Sequence, residues 1–221
     1  MENDVKQFLS DLLKQLKSID YIKPEDIPNI DLYMDQVTTF MDEQLAASKR
    51  YETDKILTKT MINNYAKNNL LPSPEKKKYS KEHVLTLLFI YYFKNILSIN
   101  DINSILSPLT EKYFGNKDGF TMQDVYNEVF GLESEESQKL LKDLGKKYKI
   151  AGDTFNDFPE DDQKFLHTFS FICMLSYDVY IKKMIIERMI DNLNAGRDQQ
   201  DTKDPKKTED GSKKENKKKE K

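Results

Sequence analysis

A nearly unbroken apolar run, from Val84 to Phe93 with only Thr86 inside it, constrains the fold of this chain more than any other feature. The run is about half the length that a membrane-spanning helix needs, so it must be buried in protein. Because its apolar residues occupy every side of a helix, the pattern predicts a central core helix. Seven glycines and seven prolines in 221 residues are few for the turns of a β-sandwich or barrel. The sequence therefore predicts an all-α fold.

The positions of apolar residues and prolines divide the chain into four parts. They are residues 1–28, with an amphipathic helix from Val5 to Ile19 and a linker containing Pro24 and Pro28, residues 29–110, residues 111–195, and residues 196–221. The second and third parts have helical periodicity. The fourth contains no large hydrophobic residue, so it cannot bury enough apolar surface to offset its ordering entropy, and we expect a disordered charged tail.

Apolar spacing and capping residues predict the individual helices. They run from about Asn29 to Ala47, from Thr58 to Asn68, from Ser80 to about Ile96, from Ser98 to a limit at Pro108, from Thr121 to Phe130, from Ser134 past Leu144, and from Pro159 to about Asn194. Asn69 is expected to end the second of these in a left-handed conformation. No stretch alternates apolar and polar residues, so any strand is limited to a two-stranded wing around Lys76 to Tyr79.

The formal net charge of -3 conceals an uneven distribution. Residues 49–81 contain nine Lys/Arg and three Asp/Glu, a balance of +6. Residues 1–48 contain four and ten, and residues 82–195 contain twelve and eighteen, a balance of -6 for each. A basic island, residues 49–81, therefore lies inside an acidic body, and such an island is typical of a surface that binds an anion.

The short helix from Thr58 to Asn68 has one apolar side and one side of hydrogen-bonding groups, which is what a DNA-reading helix requires. Its candidate base and phosphate contacts are Lys59, Thr60, Asn63, Asn64 and Lys67. The candidate phosphate contacts outside it are Lys76, Lys77 and Lys78 on the wing, and Lys49 and Arg50 before the helix. An ordinary amphipathic surface helix would also show Lys, Thr and Asn on its solvent side, so both interpretations stay open.

Residues 57–106 resemble the DNA-binding region of MerR-type regulators. Thr58 lies at the helix-opening Ser of that family, and Ile62 and Tyr65 lie at its packing positions. The further matches are Leu70-Leu71-Pro72 at the helix exit, Tyr79-Ser80 at the step into the long helix, and Ser98-Ile99 with Ile102 to Leu106 in the last helix. Asn63 stands where the family commonly has Arg, and Asn69 stands where it has Gly.

This resemblance implies that residues 29–110 form a winged helix-turn-helix-like domain, followed by added C-terminal helices. It also implies a transcriptional regulator that binds double-stranded DNA. The whole chain resembles an uncharacterised bacterial family of unknown function, through IDLYMDQVTTFM, LTKTMINNY and KKKYSKEH. The alternative is a non-catalytic helical module that binds an acidic protein partner through the basic island.

No pattern in the sequence indicates catalysis, a metal or a cofactor. His83 and His167 have no partner at metal-ligand spacing, and we expect both to be structural. Cys173, surrounded by apolar residues, is expected to be a buried, inert thiol. We therefore expect a protein that is not an enzyme.

The long helix at residues 159–194 admits two interpretations. Its apolar residues, Phe165, Phe169, Ile172, Cys173, Tyr177, Tyr180, Met184 and Met189, form either a homodimer contact or part of the monomer core. The polar, acidic start MENDVKQF is unlike a signal peptide, and no run is long enough for a membrane span. We expect a cytoplasmic protein without a membrane partner.

Overall fold

The computed structural model describes residues 7, 10, 11, 22–131 and 133–201. The helices are α1 (Met34–Gln44), α2 (Lys59–Lys67), α3 (Lys81–Phe93), α4 (Ile99–Tyr113), α5 (Met122–Gly131), α6 (Glu133–Gly152) and α7 (Glu160–Asp201). Two two-residue strands, β1 (Leu32–Tyr33) and β2 (Lys78–Tyr79), form the sheet of this part of the chain. The predicted all-α class is confirmed. The helix expected at Val5–Ile19 lies largely outside the described residues, as does the tail from residue 202.

Helix α3 lies at the centre of the core, as its all-round apolarity predicts. Every residue from His83 to Tyr91 is buried. Ser80 and His83 form a capping box at the start of the helix. The side chain of Ser80 faces the backbone of His83, and the amide N–H of Ser80 donates to Nδ1 of His83 at 3.0 Å. Each fully buried Leu or Ile contributes about 1.5–3 kcal/mol, and α3 packs against β2, α4 and α5.

The two strands join the beginning of α1 to the beginning of α3. They pair antiparallel, with Leu32 opposite Tyr79 and Tyr33 opposite Lys78. The predicted strand around Lys76 to Tyr79 is confirmed in its second half. The expected helix start at Asn29 to Asp31 was wrong, because Leu32 and Tyr33 are extended and α1 begins only at Met34.

Helix α4 passes through Pro108, which we expected to end it. Proline has no N–H, so the carbonyl of Ser104, four residues earlier, loses its usual helical partner. Nη1 of Arg197 in α7 donates to that carbonyl at 2.6 Å, and the helix continues to Tyr113. The same contact explains why α7 runs past the expected end at Asn194 and includes Gly196, where the disordered tail was expected to begin.

Helices α6 and α7 form an antiparallel hairpin joined by residues 153–159. Lys147 pairs with both Asp143 and Asp178, and the rings of Tyr148 and Phe171 meet edge to face at 5.2 Å. Helix α6 begins at Glu133, so Ser134 lies inside it and is not its N-cap. The helix also extends to Gly152, beyond the loop start expected at Lys149.

Helix α5 packs against the chain near Ile22, at the start of the described stretch 22–131. The hydroxyl of Tyr126 donates to the carbonyl of Ile22 at 2.8 Å, and both residues are buried. Its start is the predicted capping box, in which Thr121 and Asp124 exchange hydrogen bonds.

Candidate nucleic-acid interface

Helix α2 has the two-sided character that its sequence predicts. Oγ1 of Thr58 accepts from the amide N–H of Met61 at 3.2 Å and caps the helix. Ile62 and Tyr65 are buried against the core. The five candidate contact residues, Lys59, Thr60, Asn63, Asn64 and Lys67, are all exposed. The helix is therefore held by one side and presents polar side chains on the other.

Asn69 ends this helix as expected. Its φ of 56° lies in the left-handed region, which Asn tolerates better than most residues. The amides of Leu70 and Leu71 both donate to the carbonyl of Tyr65, at 2.9 and 3.3 Å. Both leucines are buried, so the chain leaves α2 on a fixed path toward the wing.

The wing is a hairpin whose tip consists of Lys76 and Lys77. Glu75 and Lys78 pair across it, and the amide of Lys78 donates to the carbonyl of Glu75 at 2.8 Å. Lys76 and Lys77 both have positive φ, 49° and 65°. A two-residue turn with positive φ at both positions is the type I′ geometry, which strongly prefers Asn-Gly. Two lysines therefore occupy positions where side chains are unfavourable.

The start of α1 brings the wing and α2 together. Nζ of Lys78 lies 5.4 Å from the centre of the Tyr33 ring. Asp35, two residues further along, forms an ion pair with Lys59 of α2. The base of the wing and the first turn of α2 are thus anchored to the same short stretch of chain.

Two of the seven candidate cations are paired with acidic residues of α1. Lys49 donates to Asp42 at 2.7 Å, and its side chain is only 15% exposed. The hydrogen bond from Lys49 holds the pKa of Asp42 below its ordinary value. Lys49 therefore belongs to a partly buried structural pair, unlike the free phosphate contact that we expected. The pair between Lys59 and Asp35 is largely exposed, so solvent screens it.

The remaining candidates of the island are exposed. They are Arg50, Lys76, Lys77 and Lys78, together with Lys67 on α2. The guanidinium of Arg50 lies 5.2 Å from the ring of Tyr51. The acidic partners of Lys49 and Lys59 were not identified from the sequence. Asp42 precedes Lys49 by 7 residues and Asp35 precedes Lys59 by 24, so the two pairs have no common local spacing.

The connection between α1 and α2 is longer than a tight helix-turn-helix turn and is fastened to the core. Ile56 and Leu57 are buried, and Nζ of Lys94 donates to the carbonyl of Ile56 at 2.8 Å. Burial lowers the pKa of Lys94. An open cleft of about 400 Å³ separates the two helices, lined by Thr38, Thr39, Asp42, Glu43, Lys55, Leu57, Thr58 and Lys59.

His83 makes structural contacts that its sequence context did not reveal. Its Nδ1 accepts from the backbone N–H of Ser80, and its ring meets Tyr79 and Phe114 edge to face at 5.5 and 4.7 Å. Burial lowers its pKa, while the carbonyls of Ser73 and Pro72 and the charges of Asp31 and Glu75 oppose this shift. His83 therefore links the base of the wing to the start of α3.

The expectation for Cys173 was wrong, because this thiol is exposed. It lies on the side of α7 that points away from α6, whereas the sequence pattern suggested burial. Within the described residues, no group of three or more His, Cys, Asp or Glu side chains could hold a metal ion. No helix in the same part of the chain has the length and apolarity needed to cross a membrane.

No curated protein and no solved structure matches this chain. The family comparison covers the stretch from the residues before β1 into the last turn of α5 and leaves out α6 and α7. Residues 22–129 match the model of a family described as a domain of unknown function, DUF1836.

Proposed function

We propose that this protein binds double-stranded DNA through the exposed side of α2 and the lysine-tipped wing. The observation that carries the proposal is the conformation of Lys76 and Lys77 at the wing tip. A left-handed backbone costs a residue with a side chain about 1 kcal/mol or more. Such strain is concentrated at functional sites, and here it projects two adjacent cations into solvent.

The two parts of the proposed interface have different roles. Asn63 and Asn64 on α2 can make bidentate contacts to adenine in the major groove, and Lys67 can meet guanine or phosphate. The three wing lysines would neutralise backbone phosphates, which position the protein without reading sequence. We further propose that α2 is the reading helix, the lysine-tipped hairpin the wing and α3 the supporting helix of a MerR-like unit. Its proposed role is to regulate transcription.

The acidic residues of α1 set a limit on this interface. Asp35 already neutralises Lys59, and Asp42 holds Lys49. The exposed candidate cations that remain are therefore Arg50, Lys67 and the three wing lysines. With about five phosphates neutralised, the logarithm of the binding constant should fall with the logarithm of salt concentration with a slope of about -4.5.

A salt series of fluorescence anisotropy with random-sequence duplex DNA tests the proposal. The triple substitution Lys76→Ala, Lys77→Ala and Lys78→Ala should reduce the magnitude of the slope by about 2.7. The matched control is Lys142→Ala, Lys146→Ala and Lys149→Ala on the exposed surface of α6, which changes the net charge equally. Equal weakening by both triples, or no binding at low salt, contradicts the proposal.

The alternative is an acidic protein partner for the same basic island, and the interleaved Asp35 and Asp42 favour it, because they lower the positive charge that a duplex would meet. The experiment separates the two. An intact protein that binds no duplex at low salt, yet copurifies with one acidic protein only while the wing lysines are present, is a protein-interaction module.

A further inference from the structure

The first half of α7 exposes an apolar face that nothing in the described chain covers. Phe165, Phe169, Ile172, Val179 and Tyr180, which we call the outer face, are each at least half exposed. The rings of Phe165 and Phe169 stack on each other at 6.3 Å, in solvent. A contiguous apolar surface of this kind marks an interaction site.

The outer face lies opposite the side of α7 that packs on α6. Phe171 and Asp178 contact Tyr148 and Lys147 of α6, and they lie about half a turn from Phe169 and Ser176 on a helix of 3.6 residues per turn. Positions 165, 169, 172, 176 and 179 alternate in steps of four and three. That spacing is the seam of a coiled coil.

Part of the same seam is covered in the second half of α7. Ile190 is buried and Ile186 packs against the core, while Leu193 is 53% exposed. Asn194 and Arg197 bind Ser104 of α4, so α4 covers the seam only from about residue 186 onward. One continuous stripe is therefore partly covered at its C-terminal end and uncovered at its N-terminal end.

We propose that the outer face pairs with the outer face of a second copy of this chain, with the two α7 helices antiparallel. Charge decides the orientation. The first turn of α7 carries Glu160, Asp161 and Asp162. The far end of the outer face is flanked by Lys182 and Arg188, while Lys183 is already paired with Glu187 of the same helix. An antiparallel pair places the acidic end of each copy beside the basic end of the other, whereas a parallel pair places like charges together.

The seam spacing fixes where the two helices cross. Pairing centred on Met174 places Phe169 against Val179 of the second copy and Ile172 against Ser176 of the second copy. Cys173 and Ser176 are small side chains at the centre, which allows close approach. With roughly 100 Å² exposed on each of its five large side chains, the face supplies about 500 Å², and its rim must supply the rest of the roughly 800 Å² per partner of a specific interface. Such a contact is isologous and closes as a two-fold dimer.

This dimer does not depend on DNA binding, so it is tested without DNA on the full chain. Sedimentation velocity over a hundredfold concentration range should show a species of twice 26.0 kDa. Ile172→Glu should weaken the dimer at least tenfold. Ile150→Glu on α6, a residue that is also 54% exposed, should leave it unchanged. A monomer at every concentration, or equal effects of the two substitutions, overturns the proposal.

The native cysteine reports the orientation, because Cys173 is the one cysteine of the chain. A short bismaleimide should link the two copies through Cys173, which lies beside the two-fold axis. In a Cys173→Ser background, Lys183→Cys should not link, since the two positions are then about 27 Å apart at 1.5 Å per residue. Linking at residue 183 as readily as at residue 173 would indicate a parallel pair and overturn the antiparallel arrangement.

Discussion

Arg197 in α7 replaces the hydrogen-bond donor that Pro108 removes from α4. Its guanidinium donates to the carbonyl of Ser104, which in an ordinary helix would accept from the N–H of residue 108. Asn194 supports the contact by donating to Oγ of Ser104 at 3.3 Å. The proline inside α4 and the extension of α7 to Arg197 are therefore linked by one hydrogen bond.

Removal of the guanidinium should destabilise the protein. We expect Arg197→Met to lower the free energy of unfolding by about 1–3 kcal/mol, because a partly buried carbonyl loses a charge-assisted hydrogen bond. In a Pro108→Ala background, residue 108 supplies the donor again, so the same substitution should cost less. Urea unfolding of the four proteins gives the coupling energy, and additive effects would show that the two residues are independent.

Relieving the strain at the wing tip should raise the stability of the protein and lower its affinity for DNA. Lys76→Asn with Lys77→Gly installs the residues that a type I′ turn prefers, so we expect the free energy of unfolding to rise by about 1 kcal/mol. Under the proposed function, DNA affinity should fall about tenfold or more, because two phosphate contacts are lost.

Lys76→Ala with Lys77→Ala is the control for the wing tip. It removes the same charges and retains side chains at positive φ, so it should lose affinity without gaining stability. If the Asn-Gly protein is no more stable than the double-alanine protein, the positive φ angles at residues 76 and 77 do not strain the backbone.

Neutralising Asp35 should strengthen DNA binding. Asp35→Asn releases Lys59 and removes a negative charge beside the reading helix, so we expect affinity to rise about three- to tenfold and the salt slope to steepen by about 0.9. The ion pair is exposed, so stability should change by less than about 0.5 kcal/mol. Asp191→Asn, an exposed position on α7, makes the same charge change away from the interface and should leave anisotropy titrations unaltered.

Protonation of His83 should destabilise the fold at acid pH. Burial lowers the pKa of His83 in the folded state below the ordinary value of 6.5. Its stabilising contribution is therefore complete above 6.5 and is lost as the pH falls from there through the folded-state pKa, because the unfolded chain binds the proton first. The slope from this residue is at most about 1.4 kcal/mol per pH unit.

His83→Gln isolates that contribution. Glutamine can accept the Ser80 N–H as a capping-box residue and does not titrate, so urea midpoints between about pH 7 and pH 5 should vary less than in the parent protein. His167→Gln is the histidine control. An identical pH dependence in the parent and in His83→Gln would assign the acid sensitivity to other groups.

The sequence predicted the elements whose causes are local. The cap at Ser80, the capping box of Thr121 and Asp124, the left-handed Asn69 and the buried run around Leu87 depend on neighbours within one or two turns, and all are found as expected. Pro108 was wrongly read as a helix end because its compensating donor, Arg197, is distant in sequence. Leu32 and Tyr33 were wrongly read as helix because their partners lie in the wing.

The sequence predicted which residues form the candidate site but not the ion pairs within it. Local spacing identified the lysines and asparagines of α2 and the wing. It did not identify the ion-pair partners. The pair of Lys59 with Asp35 exists only once α1 packs beside α2, and Lys49 reaches Asp42 only because the chain turns directly after α1. Cys173 was misjudged because apolar neighbours on α7 face outward as well as inward.

The hydrogen bond between Tyr126 and Ile22 places both ends of one folding unit side by side. The chain enters this unit near residue 22 and leaves it near residue 131, at the same corner of the core. Adjacent ends allow other sequences to be added before or after a domain without threading through it. The α6–α7 hairpin is such an addition, and it is tied back to the unit by Ile190 in the core and by Arg197 on α4.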